Sequence, residues 1–312
     1  MSAVAFAAVD WGTTRLRVWL FDRAGSVLAE RRSDEGLLAA RPDRFGAILE
    51  RHLAELGAPP ELPVVICGMA GARQGWVEAP YVIVPAAPDG IFEAAIRVPG
   101  VAREIRIVPG LAQRDETAPD VMRGEETQLA GAIDRLGPGR HLVCMPGTHS
   151  KWVLVEDRVV SAFQTVMTGE LFSLLSSQSI LSHAIGPDAP PVQPQSTAFR
   201  RGCASGLAQS GGIAVELFRI RAASLLAGLE PADAAALLSG LLIGTEIGAC
   251  RERFGGEESP VTLIASGAMR DLYAAALAEA GMGYTAIDAD EAVRDGLCAA
   301  ARQYGLLGAA GR

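Results

Sequence analysis

The sequence has no basic excess: 28 Lys and Arg stand against 36 Asp and Glu, leaving a formal charge of −8. Without a cationic stripe to release counterions, the charge argues against non-specific binding along a nucleic-acid backbone. Cysteine and histidine are scarce. The five cysteines (Cys67, Cys144, Cys203, Cys250, Cys298) are scattered with no C-x-x-C, and the four histidines (His52, His141, His149, His183) lack H-E-x-x-H spacing. A disulfide scaffold and a protein-ligated structural metal are therefore not expected, and the usage is that of a reducing cytosol. Uninterrupted apolar stretches, such as the one inside residues 234–244, fall short of the roughly 18–20 residues of a membrane span. The first ten residues lack the basic region and small-residue cleavage pattern of a secretory signal. These absences predict a cytoplasmic protein with neither membrane nor nucleic acid as partner.

What remains is an ordinary globular composition, 49% hydrophobic and 21% charged over 312 residues, a length that suggests two domains. Residues 4–9 form an apolar run ending in Asp10, Gly12-Thr13-Thr14 supplies a turn, and residues 15–20 alternate with period two. A turn at 22–25 and a strand at 26–30 complete an antiparallel meander. The order recurs 135 positions later: strand 142–145, turn Gly147-Thr148-His149-Ser150, strand 152–155, turn Asp157-Arg158, strand 159–163. At that offset Gly12, Thr13, Val18, Asp22 and Arg23 align with Gly147, Thr148, Val153, Asp157 and Arg158, five identities in twelve positions. Chance likeness between short meanders is the alternative; a true repeat implies two domains of like fold. Segments 42–56, 120–136, 169–180, 211–229, 232–242, 272–280 and 293–307 read as helices. Segments 63–67 and 261–265 read as buried strands, and the Pro-rich 187–194 as a surface loop. Turn residues Gly137-Pro138-Gly139 mark a boundary between residues 1–137 and 138–295, with a C-terminal helix within 296–312 packing back on the first domain.

A Gly-Thr turn at a strand end presents successive backbone N–H groups with no side chain in the way, a nest suited to phosphate oxygens. Each turn alone could be a plain hairpin; their repetition points to a polyphosphate held from opposite sides. Asp10, beside the first turn, can hold Mg²⁺ directly or through water, because Mg²⁺ takes one or two carboxylates together with phosphate oxygens. Met145 occupies the matching place in the second turn, so only the first is equipped for metal. Ser266-Gly267-Ala268-Met269, between a strand and a helix, leaves room for a flat ring or ribose. Glu125 and Glu126 follow Gly124 at a helix start. They complement the helix dipole there, or Glu125 acts as general base toward a substrate hydroxyl attacking a γ-phosphorus, with Glu126 as second candidate. Arg73, Gln74 and Trp76, on a loop between glycines, offer a fork for a carboxylate and a flat face for a sugar-like chain, unless the loop is merely solvated. Lys151 meets phosphate or solvent, and His149 reads as a hydrogen-bonding loop residue.

In order, Asp10-Trp11-Gly12-Thr13-Thr14, Gly124-Glu125-Glu126-Thr127-Gln128-Leu129-Ala130-Gly131, Gly147-Thr148-His149-Ser150 and Ser266-Gly267-Ala268-Met269 resemble the actin–hexokinase–sugar kinase superfamily. Residues 9–22, 66–82, 120–132, 144–175 and 263–277 carry a closer resemblance, over nearly the full length, to the 2-dehydro-3-deoxygalactonokinases of galactonate degradation. The resemblance implies an α/β fold of two ribonuclease-H-like (actin-like ATPase) domains around a central cleft, with mixed sheets flanked by helices. It also implies ATP and Mg²⁺ in that cleft, and transfer of the γ-phosphoryl to the 6-hydroxyl of 2-dehydro-3-deoxy-D-galactonate. Superfamily sugar kinases carry Gly-Asp before the second phosphate loop; here Gly124-Glu125 has a longer carboxylate. ATP would then be held by Gly12, Thr13, Thr14, Gly147, Thr148, His149, Ser150, Lys151, Ser266 and Gly267, metal by Asp10, and the sugar acid by Arg73, Gln74, Trp76, Arg123 and Arg15. Partners are the sugar acid and ATP, with a homodimer as the possible assembly. Competing readings are a kinase for another sugar acid, an exopolyphosphatase-like enzyme and a nucleotide-gated regulator.

Overall fold

Apolar runs punctuated by Gly, Asp and Pro set the element order. The computed structural model describes residues 3–40, 43–208, 212–255 and 260–308. Positions 42, 211 and 309–312 of the expected helices and C-terminal segment lie outside them. The chain divides into two units, Met1–Gly139 with Glu156–Ala162 and Ala289–Arg312, and Arg140–Val155 with Phe163–Asp288.

The first unit opens with β1 (Val4–Trp11), β2 (Leu16–Asp22) and β3 (Val27–Ser33), then α1 (Phe45–Glu55) and β4 (Val64–Gly68). It continues through β5 (Tyr81–Ile83), α2 (Pro88–Glu93), β6 (Ile96–Arg97), β7 (Ile105–Ile107), β8 (Gly110–Gln113), β9 (Asp120–Met122) and α3 (Glu125–Leu136). Its main sheet has the order β3-β2-β1-β4-β7-β6, with β1 antiparallel to β2 and parallel to β4. Strands β5, β8 and β9 form a separate small sheet. Helix α1 buries Phe45, Ile48, Leu49, His52 and Leu53, one helical stripe, in a core shared with Val9, Trp11, Val18 and Ile66.

The second unit carries β10 (Arg140–Met145), β11 (Ser150–Glu156) and β12 (Val159–Val166), the last two running partly into residues 156–162. Five helices follow: α4 (Thr168–Gln178), α5 (Ser182–Ile185), α6 (Thr197–Ala208), α7 (Ile213–Leu226) and α8 (Pro231–Phe254). Then come β13 (Val261–Ile264), α9 (Gly267–Glu279) and β14 (Tyr284–Ile287), while α10 (Ala289–Gln303) returns to the first unit against α3, β1 and β4. The sheet order β12-β11-β10-β13-β14 repeats that of β3-β2-β1-β4-β7: three consecutive strands, then a crossover to strands running parallel to the first. That order is the ribonuclease-H-like half of the actin-like fold.

Two expected helices differ. Residues 120–136 are not one helix: β9 ends at Met122, and Gly124, at φ 106°, turns the chain into α3. The helix expected at 232–242 continues to Phe254. Its internal glycines are packing positions, since a Cβ on Gly240 would stand 2.1 Å from the carbonyl oxygen of Phe199 on α6. Helix α8 is long and apolar enough to cross a membrane, but 83% of its most apolar window is buried inside the molecule.

Candidate active site

The first Gly-Thr turn closes between β1 and β2 with the N–H of Gly12 donating to the Arg15 carbonyl at 2.8 Å. The carbonyls of Gly12, Thr13 and Thr14 accept from the backbone N–H groups of Leu37, Leu38 and Gly36, at 3.0, 3.1 and 3.3 Å. With its carbonyls pinned by residues 36–38, the turn keeps Thr13 and Thr14 exposed, the condition under which their amides can serve an anion. Arg15 is exposed beside them.

Asp10 stands two residues before the turn, its side chain 14% exposed. Register places it opposite Arg17 on β2, and Arg17 Nε donates to Asp10 Oδ2 at 3.1 Å. Arg17 also pairs with Asp290 of α10, which accepts from Arg32 at 2.8 Å. Burial opposes the Arg17 charge, but Asp10 and Asp290 outweigh it and hold the guanidinium proton more tightly than usual. The hard oxygens of Asp10 suit Mg²⁺. Among the described residues no group of three His, Cys, Asp or Glu is placed to hold a metal ion by itself.

Two glycines bring Asp10 to the Glu125 turn. Gly68 ends β4 opposite Trp11, at φ 89°, and a Cβ there would lie 2.6 Å from the Trp11 carbonyl and 3.4 Å from Asp10 Oδ1. A Cβ on Gly124 would in turn lie 3.4 Å from the Cα of Gly68. Asp10, the end of β4 and the head of α3 are thus neighbours within one unit.

The two carboxyls at that head differ in environment. Glu125 is half-buried and accepts from the N–H of Arg123 at 3.1 Å. Glu126 is fully buried, accepting from the N–H of Gly124 at 2.6 Å and the hydroxyl of Thr127 at 2.9 Å. Burial, reinforced by the Glu125 charge, pushes the Glu126 carboxyl from the ordinary 4.5 up to about 8 despite those donors.

Arg73 and Gln74 are exposed, and Arg73 makes no ion pair among the described residues. Trp76 is half-buried, stacked on Phe45 at 6.0 Å, and Phe45 packs on Trp11 at 4.7 Å. Most of the indole is therefore core. The Arg123 guanidinium lies over the Tyr81 ring at 4.4 Å and donates to the Ala79 carbonyl at 2.8 Å, while its Nε and Nη1 are shielded and find no partner.

In the second unit, Thr148 and His149 are exposed, and the turn is gripped from its carbonyl side by α4. The N–H of Glu170 donates to the Thr148 carbonyl at 3.0 Å, and the Glu170 carboxylate pairs with His149. Lys151 is neither solvated nor outward-facing: it is buried, and its ammonium donates to the His149 carbonyl at 2.8 Å. The Ser150 side chain is also buried, 2.9 Å from the Tyr273 hydroxyl. Ser266 precedes α9 without a side-chain capping bond, its hydroxyl donating instead to Asp288 at 2.7 Å, with Gly267 exposed at φ 57°. Of the residues the sequence singled out, Gly12, Thr13, Thr14, Arg15, Asp10, Glu125 and Glu126 share a neighbourhood in the first unit, and Gly147, Thr148, His149, Ser150 and Lys151 share one in the second. Arg17 and Gly68 escaped the sequence reading, though the hairpin register that pairs Gly12 with Arg15 also pairs Asp10 with Arg17.

Residues 10–300 match the model of the 2-keto-3-deoxy-galactonokinase family. The chain is 52% identical to a probable 2-dehydro-3-deoxygalactonokinase of Rhizobium meliloti over 95% of this chain and 96% of that one. It is 36% identical to the 2-dehydro-3-deoxygalactonokinase of Escherichia coli over 94% and 96%. The crystal structure of a Sinorhizobium meliloti protein with the same designation superposes at TM-score 0.92 with 51% identity, covering 96% of this chain and 99% of that one. Component A of the Acidaminococcus fermentans (R)-2-hydroxyglutaryl-CoA dehydratase, 14% identical at TM-score 0.50 over 96% and 98%, shares the fold alone. The fold is that of actin-like ATPases and sugar kinases, and the chain belongs to the 2-keto-3-deoxy-galactonokinase family.

Proposed function

We propose that this enzyme transfers the γ-phosphoryl of ATP to the 6-hydroxyl of 2-dehydro-3-deoxy-D-galactonate, giving the 6-phosphate. The observation that carries this reading is the adjacency of Asp10, Gly68 and the Gly124-Glu125 turn, which sets a carboxylate suited to metal beside one suited to base catalysis. Glu125 takes the proton of the attacking hydroxyl. Glu126, buried and largely protonated at neutral pH, braces Gly124. The amides of Thr13 and Thr14 and of residues 147–149 receive phosphate oxygens, and the Ser266-Gly267 turn receives the adenosine. Asp10 would hold Mg²⁺, which when bound offsets charge on the phosphate oxygens. Arg73 and Gln74 grip the substrate carboxylate, Trp76 lends its accessible edge to the carbon chain, and Arg15 and Arg123 add positive potential.

In this assignment the first unit carries the sugar-acid site and the first phosphate loop, and the second unit carries the second loop and the adenosine turn. The enzyme works in the cytoplasm on two small molecules, and sedimentation tests whether it does so as a homodimer. The decisive assay follows ADP release with ATP and Mg²⁺ across stereodefined 2-keto-3-deoxy sugar acids. Acceptor-dependent turnover, fastest with the galactonate-derived epimer, is expected; slow release that ignores the acceptor would refute a kinase.

A further inference from the structure

Glu246 sits in the middle of α8, 1% exposed, and lies outside the set of residues considered so far. Three side chains from three other elements donate to it. Trp152 of β11 gives its indole N–H to Oε1 at 2.7 Å, while Thr168 at the head of α4 and Tyr273 of α9, at 2.7 Å, give their hydroxyls to Oε2. The Tyr273 oxygen is 2.9 Å from Ser150 Oγ; burial raises the Glu246 carboxyl above its ordinary value, and the hydrogen bonds from Thr168, Tyr273, Trp152 and Ser150 offset part of that rise. An indole can only donate, and a hydroxyl has one hydrogen. With the Tyr273 hydrogen on the carboxylate, the Ser150 hydrogen is directed at the Glu246–Tyr273 pair and away from the surface.

Three of these groups, Ser150, Thr168 and Tyr273, lie on elements that begin at parts of the candidate nucleotide site. Ser150 opens β11 directly after the second Gly-Thr turn. Thr168 opens α4, where Glu170 clips the Thr148 carbonyl and Gly169 presses on the turn so closely that a Cβ would come within 2.5 Å of the Gly147 oxygen. Tyr273 lies two turns into the helix that begins at Ser266-Gly267. An apolar side chain of similar size would fill this core position without the desolvation cost of a carboxylate. What a carboxylate adds is direction: it fixes which way three separate elements point their hydrogens.

We propose that Glu246 is a positioning residue that holds the second turn and α9 in the one arrangement that binds nucleotide, and so sets nucleotide affinity without touching the nucleotide. This rests on the assignment of residues 147–149 to ATP.

Glu246→Gln tests it in the full-length enzyme. Glutamine keeps the shape, but its oxygen is needed by the Trp152 N–H, which turns its amide N–H groups toward Thr168 and Tyr273. The hydroxyl hydrogens must then swing round, releasing that of Ser150. The expected result is a rise of roughly tenfold in the KM for ATP and in the Kd for ADP, the scale of one buried hydrogen bond, with the sugar-acid KM within about twofold of wild type. Tyr273→Phe and Ser150→Ala should each weaken ADP binding, and the pair should cost less than the sum of the two, because both act on one chain of hydrogen bonds. Should Glu246→Gln fail to fold, Tyr273→Phe carries the same test with a gentler change. A folded variant with a lower Tm but unaltered nucleotide affinity, or with both KM values raised alike, would overturn the proposal. A wild-type enzyme that binds no ADP or ATP would instead refute the assignment on which it rests, and calorimetric titration of wild type settles that first.

Discussion

Replacing Glu126 by glutamine separates two carboxyls that are neighbours in sequence and different in surroundings. In the folded chain Glu126 binds its proton with a pKa of about 8, against an ordinary 4.5 when unfolded. The folded state therefore holds the proton more tightly. Stability should fall as pH rises from 4.5 toward 8 and level off beyond. By this linkage the cost of ionisation is under about 1 kcal/mol at pH 5 and on the order of 3 kcal/mol at pH 7. Glutamine imitates the protonated acid: its oxygen can accept from the Gly124 N–H and its amide can donate to Thr127. Glu126→Gln should thus match wild type near pH 5, exceed its Tm by several degrees at pH 7.5, and flatten the pH slope. Its kcat should stay within about threefold, whereas Glu125→Gln should lose about 10²–10⁴-fold with little change in stability. Thermal melts from pH 5 to 8.5, paired with steady-state ADP release, read both quantities. A well-folded Glu126→Gln as inactive as Glu125→Gln, or one retaining the wild-type pH slope, would refute the assignment of brace and base.

Arg73→Ala should raise the KM for the sugar acid by an order of magnitude or more while leaving that for ATP nearly unchanged, as loss of a charge-assisted fork on a carboxylate would; equal shifts in initial-rate kinetics would argue against a carboxylate role. Asp10→Asn should raise the Mg²⁺ concentration needed for half-maximal rate and cut kcat by about a hundredfold or more; an unaltered Mg²⁺ titration would remove Asp10 from the metal site. Gly124→Ala should cost about 1–3 kcal/mol, because φ 106° is strained for any residue with a Cβ, and should slow turnover by displacing Glu125; denaturant melts and kcat that match wild type would show that this turn tolerates a side chain.

The turns were legible in the sequence and the contacts between distant segments were not. Gly12-Thr13-Thr14 and Gly147-Thr148 announced themselves because glycine and threonine interrupt apolar strands, and the two sheets share the strand order that the recurring meander suggested. Gly124 is legible as a helix start, yet the expected helical segment also takes in residues 120–122, because the preceding β9 is only three residues long and shows no alternation. In α8 the expected helix ends at 242, because the sequence does not show that Gly240 and Gly244 are the places where α6 lies against it. Trp76 was judged from its glycine-flanked loop, which hides that its ring reaches back to Phe45, 31 positions earlier. Glu246 had no local signal at all: its donors come from residues 27 to 94 positions away.

A crystal structure with Mg²⁺ and a non-hydrolysable ATP analogue tests the central claim most directly. The account predicts phosphate oxygens within hydrogen-bonding distance of an amide of Thr13 or Thr14 and of another from residues 147–149, with the metal on the Asp10 side. A triphosphate bound away from either turn would contradict it.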